Sequence, residues 1–523
     1  MMNSRPDVLE NSTRPRHLWS RQVLSAAVTV LATLAFVSAA FAAPQTAPIS
    51  EERLFEAVAA GGSLTLPAGS MVLSRPLVIT RDFRLSGAGP EDTTIEFTGT
   101  GAAVRIESGA SVTFDNFRID ASAANEAEGA GADLIQVLDG QLTLERMYLS
   151  GAANGAPDEL KPYGYGTALL VTGASTATIT QSFFQLNELV AVEATGSATV
   201  RINRSSFDRN VHGMLAEDDV SLAVADCLIV STEESAVTAR GRANVVMTST
   251  TLRVNGVNSS TGYADFDALR FGDEAKVTLR DNLIEGNPRY ALSMFGTAEV
   301  TAEANTFRGN GGLDEVADTI RTALLLEDSS RYVGSGDTFV ENPGGAIEVI
   351  HDSAMLLNAP TITGNGSYAS AWIDDSAEVV LIGATVAGNE GGLILTGEAT
   401  LFLERGSFST SGRDAVDASG SSHVTAVEAT FVGNDGAGIY AYGEATATVL
   451  RSTFQSNLAG VVGSETASLE VDGSTFTHNQ GAGVLFLDTT TGSVRSSVFQ
   501  GNGGPAVDVR PAATVALEAN EER

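Results

Sequence analysis

The chain has 523 residues, more than one ordinary compact domain, and 31 Lys+Arg against 64 Asp+Glu give it a formal charge of −33. That balance lacks the basic face nucleic acid rewards, while 43% hydrophobic and 18% charged residues supply enough apolar surface to fold. The single cysteine, Cys227, excludes an intramolecular disulfide scaffold and a cysteine-based zinc site, and 54 glycines with 6% aromatics suit short strands and tight turns.

Residues 1–21 carry Arg14, Arg16 and Arg21, an uncharged stretch runs from Val23 to Ala43, and Ala40-Phe41-Ala42 supplies small residues at a cleavage site. This is the layout of a secretory signal cut after Ala42. The alternative is a retained membrane anchor, because the apolar run is nearly long enough to span. The expected organisation is a signal at 1–42, an N-terminal cap segment at 43–80, a repeat domain at 81–517 and a tail at 518–523. The product is then secreted or in the cell envelope, with no membrane segment after cleavage. Glu51–Ala60 reads as a short amphipathic helix with Leu54, Phe55 and Val58 on one side, suited to covering the open apolar end of a stack of repeats.

Beyond it the sequence repeats itself. The segment ATVRINRSSFDRN (198–210) recurs as AEVTAEANTFRGN (298–310), SHVTAVEATFVGN (422–434), ATATVLRSTFQSN (445–457) and ASLEVDGSTFTHN (467–479). A large apolar anchor returns mostly every 22 to 24 residues, as at Phe184, Phe207, Ile229 and Leu252, and again at Phe408, Phe431, Phe454, Phe476 and Phe499. Apolar residues seven and five positions before each anchor mark a strand with one buried face. A second apolar pair follows the anchor and closes on a Gly or acidic turn. Each repeat is three short strands and three turns, cannot bury its own apolar face, and must stack on its neighbours with parallel pairing at about 4.8 Å. Where steps are long, extra residues leave after the second turn, at 121–130, 151–165, 256–265 and 311–319.

Three residues after the anchors stands an asparagine: Asn187, Asn210, Asn255, Asn287, Asn310, Asn342, Asn365, Asn389, Asn434, Asn457, Asn479 and Asn502, with Thr232 and Ser411 in the two remaining places. Asparagine tolerates a left-handed bend, and stacked amides can bond along a column. On these residues, over about 81–517, the chain resembles the right-handed parallel β-helix family, the superfamily of pectate lyases and their relatives, which carries such a ladder at its second turn. The resemblance implies an all-β, right-handed parallel β-helix (solenoid), here of about sixteen rungs with a short N-terminal capping helix. It implies little about activity, since the fold hosts many functions.

Several places could carry chemistry. Trp372, flanked by the inward positions Ala371 and Ile373, should point outward, with Ile394, Tyr440, Val462 and Leu485 in its column and Tyr442 two residues beyond Tyr440. With Asp374 and Asp375 beside it, this stripe suits stacking and hydrogen bonding of a sugar; ordinary strand propensity is the competing reading. Asp328, Asp352 and Asp375 fall at the third turn of successive rungs, where oxygens converging from neighbouring turns could hold Ca²⁺, though turn chemistry alone also accounts for them. Lys276, Glu299 and Arg331, with Arg280 above Glu303, suggest an ion-pair ladder on the first strand's outer face. Cys227 reads as a small buried hydrophobe.

Two functions follow. One is an exported, non-catalytic protein that binds glycan or contributes to the cell envelope or surface. The other is the polysaccharide-active lyase, hydrolase or epimerase that the resemblance implies, although the paired-Asp and His-Gly signatures of polygalacturonases are missing. The expected partner is a polysaccharide or envelope glycan. An acidic polysaccharide would meet a repelling surface unless Ca²⁺ bridged the two.

Overall fold

The structure is a computed structural model that describes residues 49–126, 131–155, 164–257, 266–314, 319–366 and 369–523. The expected signal at 1–42, the first residues of the cap segment and parts of all four second-turn extensions lie outside the described residues.

The chain winds as a parallel β-helix. Each rung contributes a strand to three sheets, for example Thr199–Asn203 to the first, Ser206–Asp208 to the second and His212–Ala216 to the third. Among the described residues the sheets hold nineteen, nineteen and eighteen strands. The coil therefore has about nineteen turns, not sixteen. Three lie beyond the strong sequence pattern: Met71 and Ile95 precede Ile119 in the anchor column, and Glu522 follows Phe499. The cap segment thus contains a complete coil, at Gly62–Thr65, Gly69–Leu73 and Leu77–Ile79, and the expected tail supplies the last second-sheet strand, Glu521–Glu522. Pattern fades at the ends because terminal rungs bury only one neighbour-facing side.

The helix Glu51–Ala60 starts where Ser50 accepts the Arg53 N–H and ends at Gly61, whose φ of 76° suits glycine. Leu54 and Val58 are buried in the same core as the rungs. Inside the coil, Val200, Ile202, Phe207, Met214 and Ala216 show the plan: every second strand residue points in. Successive anchors stack, with the rings of Phe408, Phe431, Phe454, Phe476 and Phe499 at 4.7–5.1 Å.

Each turn has its own ladder. At the second turn, Asn457 Oδ1 accepts the Asn434 N–H at 3.1 Å and Nδ2–H at 2.8 Å, while Asn457 Nδ2 donates to Phe431 O at 3.0 Å. The left-handed residue is not the asparagine, however. It is the one before it, Arg209, Gly309 or Ser456, so the amide is needed for its bonds and not for its backbone freedom. At the first turn a second buried column runs through Ser182, Ser205, Thr250, Asn282, Asn305 and Asp337, each accepting the N–H of the rung before or giving a hydroxyl or amide proton locally. Cys227 belongs to it. Its thiol donates to Ala225 O at 3.1 Å, as Ser205 does to Asn203 O and Thr250 to Thr248 O. The cysteine therefore stands where a hydroxyl would serve, and burial pushes its thiol up to about 11.

Candidate functional site

The three outer faces differ. On the first sheet, strands such as Glu299–Glu303 and Arg331–Ser335 alternate exposed and buried, as one-sided strands do. The third sheet breaks that rule: Leu169–Val171, Val190–Ala194, Leu292–Met294 and Leu324–Leu326 are buried at every position. Its outward column runs, rung by rung, through Glu193, Leu215, Thr238, Arg270, Ser293 and Leu325. It continues through Glu348, Trp372, Ile394, Asp417 and Tyr440. Glu193 is 5% exposed and Leu325 6%, although both point away from the core. Residues that follow the second turn lie against this face: the Thr167 hydroxyl donates to Glu193 at 2.9 Å and the Tyr290 hydroxyl to Glu348 at 3.0 Å.

Carboxylates at the entry to the third strand tie one rung to the next. Asp133 accepts the N–H groups of Gly166 and Thr167 at 3.0 and 2.9 Å, Asp267 accepts the Ser293 hydroxyl at 2.7 Å, and Asp414 accepts the Ala437 N–H at 2.5 Å. Burial raises the Asp267 and Asp414 carboxyls above the usual range; Arg289, 3.7 Å from Asp267, opposes the effect there. Further along this face, Tyr290 donates to Glu348 Oε2 at 3.0 Å, Arg321 donates to the Tyr290 hydroxyl at 3.3 Å, and burial raises the Glu348 carboxyl.

Four rungs build a cavity of about 200 Å³ across this sheet. Leu189, Leu215 and Phe266 give it apolar walls, and Glu217, Arg240 and Arg270 give it charge. His212, 9% exposed, also lines it. Its Nδ1 lies 3.3 Å from Glu234 Oε2, and its buried Nε2 has no hydrogen-bond partner. None of these residues carries a motif in the sequence. The signal that could have exposed them is the third-strand outward column itself, where Glu193 and Arg270 stand in register with Leu215 and Thr238.

Trp372 points outward, 38% exposed, as its neighbours predict. Tyr440 is in its column but three rungs away, roughly 14 Å at the usual strand spacing, with Ile394 and Asp417 between. Tyr440 and Tyr442 do stack, at 5.2 Å, and the Tyr440 hydroxyl bonds Ser464 at 2.9 Å. Asp417, absent from the apolar stripe read in the sequence, has a buried Oδ1 without a hydrogen-bond partner. Burial and the neighbouring Asp414 raise its carboxyl to about 6.

The acidic third turn is a ladder. Asp328 Oδ2 accepts the Gly296 N–H at 2.8 Å, the Asp328 N–H donates to His351 Nδ1 at 3.2 Å, and the His351 N–H donates to Asp375 Oδ2 at 3.3 Å. Those three residues hold the left-handed position, at φ 61°, 60° and 55°. Asp352 stands one residue further on and takes the Ser376 hydroxyl, so it does not share the column of Asp328 and Asp375. Asp374 accepts the Asp375 N–H at 2.8 Å. Among the described residues no three His, Cys, Asp or Glu side chains gather as a cation site. Of the first-sheet charges, Lys276 pairs with Glu299 at 3.9 Å and Arg280 with Glu303 at 3.5 Å, while Arg331 stands in register with Glu299 with no ion pair within 4.0 Å among the described residues. Among the described residues no helix is long and apolar enough to cross a membrane.

A family model described as a right-handed beta helix region matches residues 322–464 and 369–521. No curated protein matches the sequence. Solved structures with a similar course include the catalytic domain of a GH87 α-1,3-glucanase in complex with nigerose, 9% identical over 79% of this chain and 64% of that one, TM-score 0.29. They also include the DFA-IIIase from Arthrobacter chlorophenolicus A6 in complex with GF2, 13% identical over 54% and 84%, TM-score 0.36. A third is the periplasmic alginate epimerase AlgG, 9% identical over 88% and 85%, TM-score 0.23. The chain spans less than two thirds of the glucanase chain. The repeats and the parallel pairing of all three sheets show a right-handed parallel β-helix fold, and the family model of that description covers residues 322–521.

Proposed function

We propose that this protein binds an extended polysaccharide along the outer groove of its third sheet. The observations that carry the reading lie in one outward column: Glu193, Ser293 and Leu325 are buried although they point away from the core, and further along the column Trp372 and Tyr440 point outward. A long groove suits a chain ligand, aromatic faces suit sugar rings, and buried polar groups suit hydroxyls. The sequence features of residues 1–42 support export, so the ligand belongs outside the cytoplasm, as a cell-envelope or extracellular glycan. Binding without turnover is the first reading. A polysaccharide-active lyase, hydrolase or epimerase is the second, favoured by the Asp414 and Asp417 pair, in which a carboxyl near 6 could exchange protons.

Trp372 tests it. Residues 43–523 contain no other tryptophan, so after signal removal its emission reports one place. Oligosaccharides titrated against the protein should change that emission saturably, and Trp372→Ala should lose binding while keeping its melting temperature. Reducing-sugar and unsaturated-uronate assays on the same samples separate binding from turnover. A panel of glycans that leaves both emission and product assays flat overturns the proposal.

A further inference from the structure

The outward middle column of the first sheet passes Thr301, then Val333, Leu356, Val380 and Phe402, then Thr425, in register. Four successive apolar side chains interrupt a column that is otherwise polar on both sides of them. Val333 is 42% exposed and Leu356 36%, while Val380 and Phe402 are half-buried. Ile382, outward in the same strand as Val380, widens the strip. The turns that border the sheet are tight, 327–330 and 336–337 at the Val333 rung, so the face stands clear of its own edges. A contiguous apolar strip of this kind marks a contact surface more often than scattered single residues do.

Two charges frame the strip. Arg331 and Glu378 occupy the first outward column, one rung before and one rung after Ala354. Both are exposed, and among the described residues neither has an ion pair within 4.0 Å. Other charges on this face are paired: Lys276 with Glu299, Arg280 with Glu303 and Arg405 with Glu404. A base and an acid left single, at equal spacing either side of one strand, form a self-complementary pattern. A two-fold axis along Ala354–Asn358 lays the Arg331 rung of one copy on the Glu378 rung of another and keeps every residue in its own column.

We propose that the first sheet is the interface of a two-fold dimer of this chain, two copies packed face to face with their coils antiparallel. Arg331 of each copy then meets Glu378 of the other. Leu356 meets its own counterpart on the axis, Val333 meets Val380, and Phe402 lies over Thr301. Asn358 meets Asn358, whose amide both donates and accepts. Glu303 comes opposite Glu404, and each keeps its own arginine. With the axis along the coil instead, Arg331 would face Ser335 and Glu378 would face Ile382, leaving both charges single, so charge selects the antiparallel arrangement. Sheets packed face to face cross at about 30°, which confines the contact to the rungs around Leu356. Such a patch is at the small end for protein interfaces, so the dimer is weak, with a dissociation constant on the order of micromolar. The third sheet takes no part in it.

The test is sedimentation velocity on the protein expressed with its own leader, from about 1 to about 100 μM. Wild type should pass from monomer to dimer across that range. Arg331→Glu and Glu378→Arg should each weaken association about tenfold or more, because two like-charge contacts replace two attractions. The double reversal R331E/E378R should restore most of it. Leu356→Lys should stay monomeric throughout. These side chains are exposed, so melting temperatures at low concentration should match wild type and separate loss of contact from loss of fold. The axis has its own readout. Leu356→Cys should form a disulfide-linked dimer on mild oxidation, whereas Val333→Cys should do so only when mixed with Val380→Cys. Cys227 is buried and does not compete. A chain that stays monomeric at every concentration, a dimer indifferent to Leu356→Lys, or single reversals that the double reversal does not rescue, overturns the proposal.

Discussion

The outer faces of the first and third sheets are built from the same coil and obey the same alternation, yet they end in different environments. On the first, Glu299, Thr301 and Glu303 point out and are exposed. On the third, Ser293 and Leu325 point out and are buried. Strand period decides direction; what covers a face decides exposure. Among the described residues, part of the covering comes from residues that follow the second turn, Thr167 against Glu193 and Tyr290 against Glu348. A solenoid can therefore shield one of its faces with residues from one corner.

The largest expected effect breaks this contrast directly. Leu325→Asp places a carboxylate beside Glu348 in a desolvated groove and should cost more than about 3 kcal/mol at neutral pH, with the loss shrinking in acid as the new group takes a proton. Thr301→Asp, equally outward on the first sheet, should stay within about 0.5 kcal/mol. Denaturant midpoints measure both. Similar losses for the two would mean that the third face is not walled in solution.

The asparagine column comes next, because it closes the corner that the covering residues follow. Asn434→Ala and Asn457→Ala should each destabilise by roughly 1–3 kcal/mol, since Asn457 alone satisfies two donors of Asn434 and the Phe431 carbonyl. Thermal midpoints equal to wild type in both variants would show that the column is dispensable.

How much of this was legible follows from the same contrast. The anchor column, the second-turn asparagines and the outward direction of Trp372 are local periodicities, and they survive intact. Met71 and Glu522 are missed because end rungs lack the full pattern. The left-handed bend falls one residue before each asparagine, because side-chain bonding and backbone freedom are separate demands that the sequence shows together. Asp352 is misplaced by one residue for a similar reason: adjacent polar turn residues such as His351-Asp352 and Asp374-Asp375 leave open which member takes the bend. The His212 cavity is illegible because residues 189 to 270 reach it from four rungs, and its burial depends on a wall. Asp417 hides differently, as one carboxyl in a row that apolarity picks out.

Asp417 also gives the groove a pH signature. Burial, with Asp414 adding to it, raises its carboxyl to about 6 in the fold, against about 3.9 in an unfolded chain. Between those values the folded state holds the extra proton, so stability should fall as pH rises from about 4 to 6. Asp417→Asn should flatten that slope and raise the melting temperature at pH 7. An unchanged slope in the variant would place the titration elsewhere.

The smallest effect concerns the charges that are easiest to see. Lys276 and Glu299 lie 3.9 Å apart with both side chains more than half exposed, so water and salt screen them and side-chain entropy opposes the contact. A double-mutant cycle on this pair should give a coupling below about 0.5 kcal/mol that fades further in molar salt. The same cycle on Tyr290 and Glu348, 3.0 Å apart inside the groove, should give about 1 kcal/mol or more with little salt dependence, because the partners are shielded from solvent and each left alone is desolvated. Equal couplings at the two places would mean that water reaches the third face as freely as the first, and the walled groove would lose its physical basis.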